Sequence, residues 1–127
     1  MKRILVIDDD EAVRKLFLLS LEETGYSVYT VSSGIEGIKA LKQGGQYDLI
    51  FLDLKMPGMD SVETLRRLRA IDGDVPVYII TAFHDEFFAQ LKQAEADGMD
   101  FDVLRKPFDR KQLITATTGI LEGPTSY

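Results

Sequence analysis

Leu49-Ile50-Phe51-Leu52-Asp53-Leu54-Lys55-Met56-Pro57-Gly58-Met59-Asp60 is the stretch that decides the fold. Four apolar residues run into a carboxylate with no charge among them. Such a run reads as a strand buried on both faces, the signature of a parallel sheet. Met56-Pro57-Gly58 then breaks regular structure, because Pro57 lacks an amide donor and Gly58 tolerates backbone angles other residues avoid. Asp53 is therefore expected at the carboxyl end of a central strand, the edge where open α/β sheets bind ligands. There it is a nucleophile, a metal ligand or the cap of the next turn.

Working outward, the same rhythm repeats on both sides. Arg3 to Ile7 reads as a strand that stops at Asp8-Asp9-Asp10-Glu11. A helix follows, capped by Asp9 or Asp10, with Val13, Leu16, Phe17 and Leu21 on one face and Gly25 at its end. Tyr26 to Val31 is a second strand. Ser33 caps a second helix with Ile35, Ile38 and Leu41 on one side, and Tyr47 to Leu52 leads to Asp53. Beyond the turn, Val62, Leu65 and Leu68 mark a third helix. Val75 to Ile80 is a fourth strand ending on Thr81-Ala82, with Pro76 fitting its start. A fourth helix is expected over about Asp85 to Ala96. A short strand over Phe101 to Leu104 ends at Arg105-Lys106-Pro107, and Asp109 caps a last helix. Five strands alternating with five helices predict a doubly wound parallel sheet covered on both faces.

Composition agrees. The chain has 127 residues, 45% apolar and 28% charged, and reads as one globular domain. With no Cys, disulfides and thiolate metal sites are excluded. The apolar run after Met1-Lys2-Arg3 is too short for a signal peptide, and no run approaches the roughly 18 apolar residues of a membrane span. A net charge of -6 argues against direct nucleic-acid binding. The single His, His84, has no metal cluster around it in the sequence and reads as a surface or helix-start residue.

If the strand order is 2-1-3-4-5, the ends of strands one, three, four and five are neighbours. Asp8, Asp9, Asp53, Thr81 and Lys106 then share one pocket. Three adjacent carboxylates repel, and a hard divalent cation such as Mg²⁺ removes that conflict. An aspartate oxygen beside such a cation can attack phosphorus. The cation, the Lys106 ammonium and the Thr81 hydroxyl are the donors a transferring phosphoryl group needs. Small Ala82 leaves that group room.

Val6-Ile7-Asp8-Asp9-Asp10, Asp53 with Met56-Pro57-Gly58-Met59-Asp60, Thr81-Ala82 and Lys106-Pro107-Phe108 together resemble a response-regulator receiver domain of two-component signalling. The likeness spans essentially the whole chain. It implies a flavodoxin-like, chemotaxis-protein-like (βα)5 fold over residues 1–122, with a short tail over 123–127. It implies Asp53 as phosphoacceptor, and Mg²⁺ held by Asp8, Asp9, Asp53 and the Lys55 main-chain carbonyl. Thr81 and Lys106 would bind phosphoryl oxygens, and the Lys106-Pro107 bond would be cis. The donor would be a sensor histidine kinase or phosphotransfer protein, and the receiver of the signal a downstream effector. The setting would be cytoplasmic and away from membranes, the state a monomer or phosphorylation-dependent dimer, and any chemistry slow self-modification rather than turnover.

The chain departs from that pattern in places. Ser61 follows Asp60 where the family usually carries Gly, and Val103 stands where it usually carries a switching Tyr or Phe. The segment from Thr81 to Lys106 is longer than the family's habit. Phe83, Phe87, Phe88 and Phe101 are the candidates for a substitute ring, and Val103 leaves open a docking module that does not switch. A flavodoxin-type electron carrier is disfavoured, since Asp8-Asp9-Asp10-Glu11 has the wrong sign for a flavin phosphate. An aspartyl-phosphate phosphatase would want an acid where Lys55 stands.

Overall fold

The computed structural model describes residues 2–54, 61–82 and 88–123, without the side chains of Ser61 and Phe88. The turn from Lys55 to Asp60, the segment holding Phe83, His84 and Phe87, and the end of the tail lie outside the described residues. In chain order the elements are β1 (Arg3–Ile7), α1 (Glu11–Leu21), β2 (Ser27–Val31), α2 (Gly34–Gln43) and β3 (Leu49–Asp53). They continue with α3 (Ser61–Ile71), β4 (Val77–Thr81), α4 (Phe88–Ala96), β5 (Asp102–Arg105) and α5 (Arg110–Leu121). The strands form one sheet in the order β2-β1-β3-β4-β5, and every pairing is parallel.

The central strands are buried on both faces because their apolar runs are continuous. Every residue of β3, Asp53 included, is buried. Alternate side chains feed two cores. Leu5, Ile7, Ile50 and Leu52 pack with Ile38, Leu41, Leu65, Leu68 and Leu91 of α2, α3 and α4. Ile4, Val6, Leu49, Phe51 and Ile80 pack with Phe17 and Leu21 of α1 and Leu113 of α5. Phe17 anchors the second core, its ring centroid 4.6 Å from Phe51 and 5.8 Å from Phe108.

Helix starts follow local side-chain chemistry. Asp10, Ser33 and Asp109 each accept a hydrogen bond from a backbone amide in the first turn of the helix that follows. Asp109 and Gln112 form a reciprocal capping box. Gly25 closes the turn after α1 at φ 85°, a conformation that side-chain-bearing residues rarely adopt.

Several local readings change: β2, β3 and β4 begin at Ser27, Leu49 and Val77 rather than at Tyr26, Tyr47 and Val75. The strand expected from Phe101 begins at Asp102, and Phe101 packs into the α2–α3–α4 core just before it. Ile35, placed by its spacing on the inner side of α2, is 54% exposed. The reason is that α2 docks through its glycines. A Cβ at Gly34 would lie 2.4 Å from Thr64 Oγ1, and one at Gly37 would lie 2.4 Å from Ile7 Cδ1. The helix rolls onto that small-residue strip and turns Ile35 to solvent.

Candidate functional site at the carboxyl edge of the sheet

Register brings the expected residues together. Ile7 pairs with Leu52 across β1 and β3, so the residues that follow, Asp8 and Asp53, are neighbours. Asp53 pairs with Ile80, and Thr81 pairs with Arg105. The Lys106 amide then donates to the Thr81 carbonyl at 2.8 Å, which carries the Lys106 side chain back toward the centre of the sheet. The Lys106–Pro107 bond is cis.

Asp8, Asp53 and Thr81 are buried at the ends of β1, β3 and β4, whereas Asp9 is exposed. Carboxylate oxygens from Asp8, Asp9 and Asp53 lie within 4.8 Å of one another. Lys106 Nζ stands 3.4 Å from Asp53 Oδ1 and 3.7 Å from Asp8 Oδ2. Ala82, the residue after Thr81, is exposed.

Asp8 is held at several points. Its amide donates to the Val31 carbonyl at 3.1 Å, and its Oδ1 accepts from the Asp10 amide at 2.9 Å. Its main-chain carbonyl accepts from Arg14 Nη1 at 2.8 Å. Its Oδ2 is buried with no hydrogen-bond partner among the described residues. Burial pushes the Asp8 carboxyl above its ordinary range. The Asp10 amide and the Lys106 charge pull it back in part, while Asp9 and Asp10 add repulsion.

This arrangement fits a hard cation. The donors are all oxygen, the three carboxylates outnumber the Lys106 ammonium beside them, and Asp8 Oδ2, with no hydrogen bond among the described residues and only the Lys106 charge at 3.7 Å, offers a cation a ligand atom. Among the described residues, no second group of three acidic side chains brings its oxygens this close. A hollow of about 430 Å³ lies at the amino ends of β4 and β5, where Arg69 donates to the carbonyls of Val75 and Asp100.

The substitute-ring candidates divide. Phe83 and Phe87 lie outside the described residues, as does the Phe88 side chain. Phe101 precedes β5 at the end of the strand opposite Lys106 and packs, partly buried, against the same core as Met99. Val103 is 36% exposed. Sequence reasoning missed Arg14, because an arginine in the second turn of an amphipathic helix is ordinary and nothing local marks its reach to Asp8.

The profile of the response regulator receiver domain matches residues 4–118. The chain belongs to that family. Receivers of this kind are regulatory domains rather than enzymes. This receiver is 38% identical over 95% of its length to the DNA-binding dual master transcriptional regulator RpaA of Synechocystis, and spans 49% of that protein. It is 33% identical over 94% of its length to the sensor kinase CckA of Brucella abortus, and spans 12% of it. Among solved structures it resembles the receiver domain of sensor histidine kinase PA1611 from Pseudomonas aeruginosa, which holds a magnesium ion in its active-site cleft. That match has TM-score 0.79 and 25% identity, and covers 95% of this chain and 98% of the other. The chain thus spans about half or less of the curated relatives it matches. None of the described helices is long and apolar enough to cross a membrane.

Proposed function

We propose that this receiver is a phosphoacceptor switch in which Asp53 takes a phosphoryl group from a phosphohistidine on a partner kinase or phosphotransfer protein. A carboxylate oxygen of Asp53 attacks phosphorus in line, the P–N bond breaks, and the imidazole leaves with a proton from solvent. Asp8, Asp9 and Asp53 would hold Mg²⁺, with the Lys55 main-chain carbonyl as the further ligand that family likeness implies. The bound cation supplies neutralisation of charge on the carboxylates and on the transferring phosphoryl oxygens. Lys106 would move its ammonium from the Asp53 carboxylate to a phosphoryl oxygen, and the Thr81 hydroxyl would donate to another. The observation that carries this reading is the Lys106 ammonium beside both Asp53 and Asp8 in a three-carboxylate cluster.

Taking a resting protein from about 1% to 99% active needs roughly 5.5 kcal/mol of preference for the active form. A unit charge pair at 4 Å contributes about 4 kcal/mol at an effective dielectric of 20. Only the part of the dianion's attraction that the active arrangement alone realises counts toward that preference, and the inward movement of Thr81 with a reshaped α4–β5–α5 face is where this difference would arise. Hydrolysis at Asp53 resets the protein. The readout would be a protein partner or an attached effector in the cytoplasm, with residues 1–122 acting as the receiver unit.

Transfer of labelled phosphoryl from a histidine-phosphorylated kinase core in Mg²⁺ tests this. The label should appear on the parent chain as an acyl phosphate labile to hydroxylamine, and not on Asp53→Asn. Failure of every phosphohistidine donor to transfer would overturn it. The exposed Val103, in the place of the usual ring, favours a second reading, a docking module that does not switch. That reading predicts amide spectra of α4, β5 and α5 unmoved by beryllium fluoride, a phosphoryl mimic, whereas the switch predicts shifts across all three.

A further inference from the structure

Helix α1 carries a cation that neither the carboxylate cluster nor the phosphoryl-binding pair uses. Arg14 is half-buried in the second turn of α1, and its Nη1 donates to the main-chain carbonyl of Asp8 at 2.8 Å. That bond joins two others. The Asp8 amide is tied to Val31, and Asp8 Oδ1 is tied to the Asp10 amide. With these three polar groups fixed, only Oδ2 is left to face Lys106 and the space shared with Asp53. On its other side, the charge of Arg14 reaches Glu36, whose carboxyl is drawn down first by hydrogen bonds from Ser32 and Ser33 and in lesser part by Arg14. Ser33 is the N-cap of α2. The contact that Arg14 makes in the site is thus the one to the Asp8 carbonyl.

We infer that Arg14 is a positioning residue: by gripping the Asp8 carbonyl it fixes the rotation of that peptide, and so the direction in which the Asp8 carboxylate presents Oδ2 to a cation. The inference rests on the proposed cation site, but its sign sets it apart from simple electrostatics. A guanidinium this close to the carboxylates repels a cation, so removing its charge alone would tighten Mg²⁺ binding. Removing its grip would free the peptide and weaken binding. Partners that orient a metal ligand in this way are worth roughly tenfold or more in affinity.

The experiment compares the parent, Arg14→Gln and Arg14→Lys by Mg²⁺ calorimetry and, in the metal-free protein, by amide hydrogen exchange at Asp10. That amide donates to Asp8 Oδ1, so its protection reports whether Asp8 is still aimed. Arg14→Gln should weaken Mg²⁺ binding by roughly tenfold although it removes a positive charge, and should lose Asp10 protection by a similar factor. Arg14→Lys, which keeps a donor and the charge, should recover part of both. If Arg14→Gln binds Mg²⁺ as tightly as the parent, or more tightly, the inference is overturned. Unchanged protection at Asp10 overturns it equally. Amides of β1 serve as the folding control, and if Arg14→Gln lowers those as well, Arg14→Lys against the parent decides by the same two readings, part-weakened or unchanged. A parent that binds no Mg²⁺ would sink the proposed cation site instead, while exchange at Asp10 would still decide what Arg14 does.

Discussion

Lys106 Nζ lies 3.4 Å from Asp53 Oδ1, long for a charge-assisted hydrogen bond and short enough to hold the carboxylate. The pair joins the last residue of β3 to the residue after β5, strands separated in the sheet by β4. Because Asp8 Oδ2 is only slightly farther away, the one ammonium is shared between two buried carboxylates. A loosely shared cation can be drawn to a new anion on Asp53 without first leaving a strong partner.

Lys106→Met should therefore act in opposite directions on two measurements. Losing the competing charge should tighten Mg²⁺ binding by roughly tenfold, about 1.4 kcal/mol. In the metal-free protein it removes the Lys106 charge from beside two buried carboxylates. Chemical unfolding should then show a loss of about 1–2 kcal/mol, below the usual figure for a fully buried pair, because the Lys106 side chain is 24% exposed. Calorimetry and urea titration of the same samples check both signs.

Gly37→Ala should destabilise the chain by about 1–3 kcal/mol, since the new methyl would meet Ile7 Cδ1 at 2.4 Å and Cγ1 at 2.9 Å. Ile7→Val deletes Cδ1 and costs about 1 kcal/mol by itself. The double variant should be more stable than the sum of the two by about 1 kcal/mol, measured in urea as a double-mutant cycle. Additive losses would mean that α2 does not approach β1 as closely as its glycines allow.

The fold was legible because both of its periodicities are undisturbed. The runs Ile4 to Ile7 and Leu49 to Leu52 are apolar on both faces, and each ends on a carboxylate that must sit at one edge of a parallel sheet. Asp8, Asp53, Thr81 and Lys106 follow from that edge alone. What was not legible depends on approach distances. Nothing in the spacing of Ile35, Ile38 and Leu41 reveals that Gly34 and Gly37 draw α2 inward and leave Ile35 in solvent. Nor does helix periodicity announce that Arg14 folds back onto the Asp8 carbonyl. The placement of Phe101 turned on one residue of strand boundary, which local composition does not fix.

Tyr26 offers a pH test. Burial first, then its hydrogen bond to Glu122, pushes the phenol up to about 12. A folded pKa above the unfolded value of about 10 stabilises the protonated fold, so this contribution is complete below pH 10 and lost as pH rises through about 12. Ring resonances of Tyr26 should titrate near 12. Glu122→Gln should move that midpoint down only part of the way, because burial is the larger cause. Tyr26→Phe should remove this group's share of the alkaline stability loss.

The most direct test of the central claim is intact mass after incubation with Mg²⁺ and acetyl phosphate, beside Asp53→Asn and a chelator control. One added phosphoryl group on the parent, absent from both controls, is the predicted result. A parent that binds Mg²⁺ yet gains no mass, or an adduct that persists in Asp53→Asn, would contradict the assignment of Asp53 as the phosphoacceptor.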